Sequence, residues 1–432
     1  MRIVMKYGKK GLPLQFPDDI KATIIRKRKM LPVSDPEGAV KTALSPTAGS
    51  KTLVEEAQGK KNVCILICDI TRPAPNAIVL PVLIQELIRI GFASETISVL
   101  VATGCHRPNE REELRELIGN EWVLKNIHIV NHFARREADH IFLGTTPGGT
   151  PVKMDRRFVN SDLRIVIGLV EPHFMAGYSG GRKVVIPGIA HEDSIRVLHS
   201  TRILGQEGLM TGRLEGNPLQ EELLSAVRMA GKILAINTVI DEDRNLCFIN
   251  FGSLEESHLA AVAFARPCFE IPVSRKYKTV VTGASGYPLD KTYYQTVKGM
   301  VGVVDILEPG ADIFIVSECS EGLGSREYAE SQKRFIEKGA GIFWAESLSK
   351  PLADIDEWET VMQIKAMKQA KIHLFSEGLN REEKTLTGVE VIGNLSEAIQ
   401  KCLARKEDKQ LAVIPEGPFT LPVYRPVGSQ ED

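Results

Sequence analysis

Residues 163–199 read LRIVIGLVEPHFMAGYSGGRKVVIPGIAHEDSIRVLH. The first six, Leu163–Gly168, are apolar and β-branched, the pattern of a strand buried on both faces. Strands of that kind belong to parallel sheets covered by helices. Glu171-Pro172-His173 then falls at a strand's C-terminal end, where open α/β sheets place their ligands. Gly177, Gly180 and Gly181 give a loop whose backbone can approach a ligand closely. The loop leads to Lys183, but it is no P-loop: Arg182 separates Gly181 from the lysine, and Val184 stands where Ser or Thr is needed. The G-x-G-x-x-G spacing of a dinucleotide fingerprint is also absent. Taken alone, the loop supports phosphate contact, a nucleophilic amine, or a plain turn with a solvated lysine. His191–His199 reads as one short helix with its end histidines about two turns apart, near the same face.

Working outward, Asn62–Asp69 (NVCILICD) reads as a central parallel strand ending in an acid. Helix Asn76–Ile90, strand Thr96–Ala102, helix Glu110–Ile118 and strand Asn126–Val130 follow. This βαβαβ order gives a parallel sheet. Three strand tips therefore carry polar groups: Asp69 to Arg72, His106-Arg107, and Glu171 to His173. One acid at a tip is usually a cap, and one histidine is usually a loop residue. Three loaded tips on one sheet edge favour a site. Upstream, Arg2–Tyr7, Leu12–Phe16 and Ala22–Arg26 read as a small β-meander. Downstream, a second βα series begins at Lys278. There Tyr294, Gln295 and Lys298 share one helix face near its N-terminal end. They suit an anionic ligand; taken without the rest of the pattern, a solvated polar face is the favoured reading.

A chain of 432 residues calls for two domains. The expected division is 1–268, 269–408, and a tail at 409–432 able to return to the first domain. Fifty-four basic and 55 acidic residues give a net charge of −1, without a basic face, which argues against nucleic acid. No apolar run reaches the ~18 residues of a membrane span, and the N-terminus lacks a signal-peptide core. The seven cysteines are odd in number and form no CxxC, so neither disulfides nor a zinc knuckle are indicated. A soluble, cytoplasmic α/β protein is expected.

With these residues assembled, the chain resembles the nickel-pincer lactate racemase family over nearly its whole length. The resemblance rests on Asp69-Ile70-Thr71-Arg72-Pro73, Ala102 to Pro108 around His106, and Glu171-Pro172-His173 with the Lys183 loop. It extends to His199, Tyr294-Gln295 with Lys298, and Asp356-Glu357-Trp358. It implies two α/β domains with mainly parallel sheets and an active site in the cleft between them. It implies a racemase or epimerase of a 2-hydroxy acid, working by proton-coupled hydride transfer through a 2-keto acid. The cofactor would be a nickel-pincer nucleotide, joined to Lys183 as a thioamide, with His199 as the protein's nickel ligand. Asp69, Ile70, Thr71 and Arg72 would hold the nucleotide. His106 and His173 would be the acid/base pair. Arg72, Tyr294, Gln295, Lys298 and Trp358 would bind substrate. Cofactor-synthesis enzymes would be the partners in maturation. Two other readings are weighed: a hydrolase with His106, His173 and His199 as metal ligands, and a non-catalytic binder of small anions or nucleotides.

Overall fold

The computed structural model describes residues 1–45 and 52–426. The chain groups into two compact units. One comprises Lys29–Leu198 and Arg213–Arg266; the other comprises Met1–Arg28, His199–Gly212 and Pro267–Asp432.

The first unit is built on a six-stranded sheet. Its order is Leu246–Ser253, Leu234–Ile240, Leu163–Leu169, Val63–Cys68, Ile97–Ala102 and His128–Asn131. All neighbours are parallel except the first pair. Every residue of Val63–Cys68 is buried, as its unbroken apolar run requires. Helix Asn76–Ile90 turns Val79, Leu80, Leu83 and Leu87 onto this sheet, and they join one core with Ile65, Ile67, Val99 and Ile165. The sheet winds in one direction from Val63–Cys68 through Ile97–Ala102, and in the other through Leu163–Leu169. The direction of winding therefore reverses between Val63–Cys68 and Leu163–Leu169, and open sheets bind ligands beyond the strand ends at such a point. Asp69–Arg72 and Glu171–His173 leave the two strands there.

The second unit carries another six-stranded sheet, parallel throughout. Its order is Glu390–Ile392, Ala370–Phe375, Leu307–Val316, Tyr277–Gly283, Gln410–Val413 and Lys21–Ile24. Its core includes Met5, Leu14, Val281, Phe314, Ile399 and Leu411.

This grouping departs from the expected division in three places. Lys21–Ile24 does not continue the antiparallel hairpin of Arg2–Met5 and Leu12–Gln15; it pairs in parallel with Gln410–Val413. The 409–432 tail stays with the second unit: Gln410–Val413 pairs with Tyr277–Gly283, and Leu421–Tyr424 with Glu270–Val273. Residues 427–432 of that tail lie outside the described residues. His199–Gly212 also belongs to the second unit, where Lys365 Nζ donates to Leu204 O at 2.8 Å. Parallel partners can lie anywhere in a chain, so a strand's own letters do not name its neighbour. No helix among the described residues is long and apolar enough to cross a membrane.

Candidate active site

At the tip of Val63–Cys68, Asp69 is buried. Its Oδ1 accepts the Thr71 hydroxyl at 2.5 Å, and its Oδ2 lies 2.7 Å from His106 Nδ1. Burial alone pushes the Asp69 carboxyl upward, but the bonds from His106 and Thr71 and the nearby Arg72 outweigh it and hold the acid below its usual range. An ionised carboxylate only accepts, so His106 carries its proton on Nδ1 and presents a lone pair at Nε2. The His106 side chain is 63% exposed, so that nitrogen can reach a ligand.

His173 is held differently. Its Nδ1 accepts the backbone N–H groups of Met175 and Ala176 at 3.1 and 3.2 Å. Its Nε2 lies 2.8 Å from Lys183 Nζ, and its ring stacks on Phe174. Across the reversal point, Arg72 Nη1 meets the Glu171 carboxylate in a very close ion pair. Ile70 takes no polar role through its side chain. It packs against the core, and its backbone N–H donates to Asn109 Oδ1 at 3.1 Å.

The glycine loop rests on His258. Gly181 has φ +47°, and a Cβ there would come within 2.7 Å of the His258 ring. His258 Nε2 bonds Ser179 O at 2.8 Å. Burial, then the Arg182 charge, lowers this histidine from 6.5 to about 4. The folded chain therefore binds fewer protons than the unfolded chain between those values. This contribution to stability is complete above about pH 6.5 and falls by about 3 kcal/mol as pH drops toward 4. Urea midpoints at pH 7 and pH 4.5 should differ accordingly, and His258→Gln should shrink the difference.

In the second unit, helix Tyr293–Val301 is N-capped by Thr292, whose Oγ1 accepts from Gln295 N at 3.4 Å. Gln295 Oε1 accepts from Lys298 Nζ in a short hydrogen bond. Tyr294 Oη accepts from Trp358 Nε1 at 3.0 Å. The Trp358 ring lies 4.8 Å from the His199 ring, centre to centre. Burial, then the charges of Glu359 and Asp356, keep the Tyr294 phenol protonated far above its ordinary range.

The structure corrects the paired-end reading of the His191–His199 helix. The helix is Glu192–Leu198, and its flanking histidines fall in different units. His191 bonds Glu137 at 2.9 Å and Asp193 at 3.3 Å. These three form a possible metal-ligand set among the described residues. Lys153 Nζ already stands 3.0 Å from both carboxylates, so the cluster is neutralised by its own cation.

Two further residues, one in each unit, carry a role that the sequence does not assign. Glu171 was legible by position, as the letter before Pro172-His173, but not as the partner of Arg72. Glu359 is fully buried, with neither carboxylate oxygen hydrogen-bonded within the described residues. Burial pushes it up to about 8, with Lys298 opposing and Asp356 reinforcing. Only its place beside Trp358 could have drawn attention to it.

The chain is similar to known proteins along most of its length. Residues 7–212 match the lactate racemase N-terminal domain, and residues 274–420 match the lactate racemase C-terminal domain. The lactate racemase of Thermoanaerobacterium thermosaccharolyticum is 30% identical over 421 residues, covering 96% of this chain and 97% of its own. That of Lactiplantibacillus plantarum is 30% identical over 385 residues, covering 88% and 89%. The solved lactate racemase apoprotein from T. thermosaccharolyticum superposes with a TM-score of 0.90 at 29% identity, over 98% of this chain and 100% of that one. A Thermotoga maritima protein shares the fold at 18% identity, with a TM-score of 0.65 over 90% and 97% of the two chains. Two domain matches that together span most of the sequence, and relatives aligned almost end to end, mean that this chain belongs to the lactate racemase family of isomerases.

Proposed function

We propose that this protein interconverts the enantiomers of lactate or a close 2-hydroxy acid, by hydride removal and return with a nickel-pincer nucleotide carried on Lys183. The observation that supports this most is the pair of histidines at the ends of strands flanking the reversal point. They are held by different partners, His106 by the Asp69 carboxylate and His173 by the backbone N–H groups of Met175 and Ala176.

The C2 hydrogen of a 2-hydroxy acid is a poor acid, because the adjacent carboxylate discourages a carbanion. Leaving as hydride is easier when a base takes the hydroxyl proton in the same step. When bound, the nickel nucleotide supplies the hydride acceptor. The residues present fit such a group: Lys183 offers a primary amine in a glycine loop, His199 an imidazole of the kind nickel accepts, and Arg72 a guanidinium for an anionic oxygen.

The remaining work belongs to the chain. Arg72 holds the substrate carboxylate; in the second unit, Gln295 steers the Lys298 ammonium, a further cation suited to an anionic group. His106 Nε2, backed by Asp69, takes the hydroxyl proton of one enantiomer. His173 serves the other, whose hydroxyl points to the opposite side. The planar ketone turns between them. An imidazole can both take and return a proton, which suits both directions.

The test is to produce the chain with cofactor-synthesis enzymes, measure intact mass and nickel, and follow each lactate enantiomer by chiral chromatography. Added mass on the Lys183 peptide, nickel near one per chain and loss of optical purity from either side support the reading. A fully loaded protein that racemises no 2-hydroxy acid refutes it.

A further inference from the structure

We propose that, before the cofactor is attached, His173 holds Lys183 as its neutral amine, so that one histidine primes the attachment lysine first and handles substrate protons later. The identity of the group that Lys183 takes up rests on the function proposed above; the state of the amine does not.

The argument is a hydrogen-bond count. The chain turns sharply after His173 and reaches Gly177 at φ +71°. This turn aims the backbone N–H groups of Met175 and Ala176 at His173 Nδ1, at 3.1 and 3.2 Å. An amide N–H only donates, so Nδ1 must present its lone pair. A proton on Nδ1 would face two donors. The ring proton therefore sits on Nε2. That nitrogen lies 2.8 Å from Lys183 Nζ, and the N–H needs a lone pair to receive it. An ammonium has three donors and no lone pair. Only the neutral amine completes the contact. The ring cannot rotate away cheaply: it is buried and stacked on Phe174, with centroids 5.1 Å apart.

The charged and titratable groups around the pair fit this state. Cys68, at the end of Val63–Cys68, senses both Lys183 and Arg72, and burial pushes its thiol up to about 11, so it adds no negative charge at neutral pH. The two nearby carboxylates are already engaged, Glu171 with Arg72 and Asp69 with His106 and Thr71. Arg72 is a fixed cation near the same thiol and disfavours a second one.

The arrangement also orders events. A nitrogen in an amide-type linkage has delocalised its lone pair and no longer accepts. Once Lys183 is modified, the Nε2–H of His173 loses this partner, and the ring must leave this tautomer before Nε2 can take a substrate proton. An unmodified chain thus keeps one of its two acid/base groups occupied.

The test is competitive acetylation of the full-length chain from a host without the cofactor pathway. In this reaction the amine nitrogen bonds an acetyl carbon of acetic anhydride, acetate leaves, and one proton goes to solvent. The Lys183 peptide is quantified by mass spectrometry between pH 6 and 10 against the exposed Lys10 and Lys60. Half-maximal labelling of Lys183 is expected two or more pH units below these references. Each unit corresponds to about tenfold more free amine at neutral pH. His173→Gln, which keeps an N–H donor, should leave the midpoint low, and His173→Leu should raise it to the reference range. Melting curves establish that each variant is folded; if His173→Leu is not, the wild-type and His173→Gln profiles decide. Lys183 that titrates with Lys10 and Lys60, or that is not labelled below pH 8, overturns the proposal. Failure of the racemase reading would appear separately, as a loaded enzyme without turnover, and would leave the labelling profile untouched.

Discussion

Lys183→Ala, produced with the cofactor-synthesis enzymes, is expected to show no added mass, no retained nickel, and racemisation reduced at least about 10,000-fold, toward the uncatalysed rate. The size of the effect follows from the division of labour in the site. His106, His173, Arg72 and Lys298 can move protons and hold a carboxylate, but no side chain among them accepts a hydride. Under the proposed function, removing the attachment point would remove the hydride acceptor, and the remaining groups would only bind substrate. Lys183→Arg is the sharper control. It keeps positive charge and length, but its guanidinium stays protonated and is not a nucleophile. It should behave like the alanine variant if attachment matters, and retain activity if Lys183 serves only as a cation. A Lys183→Ala protein that carries the full cofactor and turns over at the wild-type rate would end the attachment hypothesis. The Lys183 loop itself should survive both changes, because it is also held by Gly181 N on Asn237 Oδ1 at 3.0 Å and by His258 on Ser179 O.

Much of the scaffold could be read from letters alone. Unbroken apolar runs at 63–68 and 163–169, each followed by a polar tip, identify parallel strands and the edge on which chemistry collects. The pairing of Lys21–Ile24 with Gln410–Val413 could not be read, because parallel neighbours leave no local trace. The allocation of His199–Gly212 to the second unit was hidden for a similar reason: helix Thr201–Leu204 is short, and its partners lie more than a hundred residues away. The site shows the same split. His106 and His173 stand out as histidines at strand ends. Their partners do not, since the acid that fixes His106 also reads as a cap, and backbone N–H groups that fix His173 belong to no residue type. Glu359 is the plainest case. Helix Glu357–Met367 is buried along almost its whole length, so an acid in it has no exposed face to occupy. A buried acid and a solvated one are the same letter.

His106→Ala and His173→Ala are each expected to lower racemisation by about 100- to 10,000-fold, the usual worth of a positioned acid or base. Loss of rate alone would not separate a two-base mechanism from general damage. Direction does. With one base for each hydroxyl orientation, a variant lacking one histidine still converts one enantiomer to the 2-keto acid in a single turnover and fails with the other. The two variants should fail with opposite enantiomers. Trapping the keto acid by rapid quench, starting from pure D- or L-lactate, reads this directly. If both variants fail with the same enantiomer, one histidine is the base for both directions. The other then only positions substrate, and the opposed-base reading of this site fails.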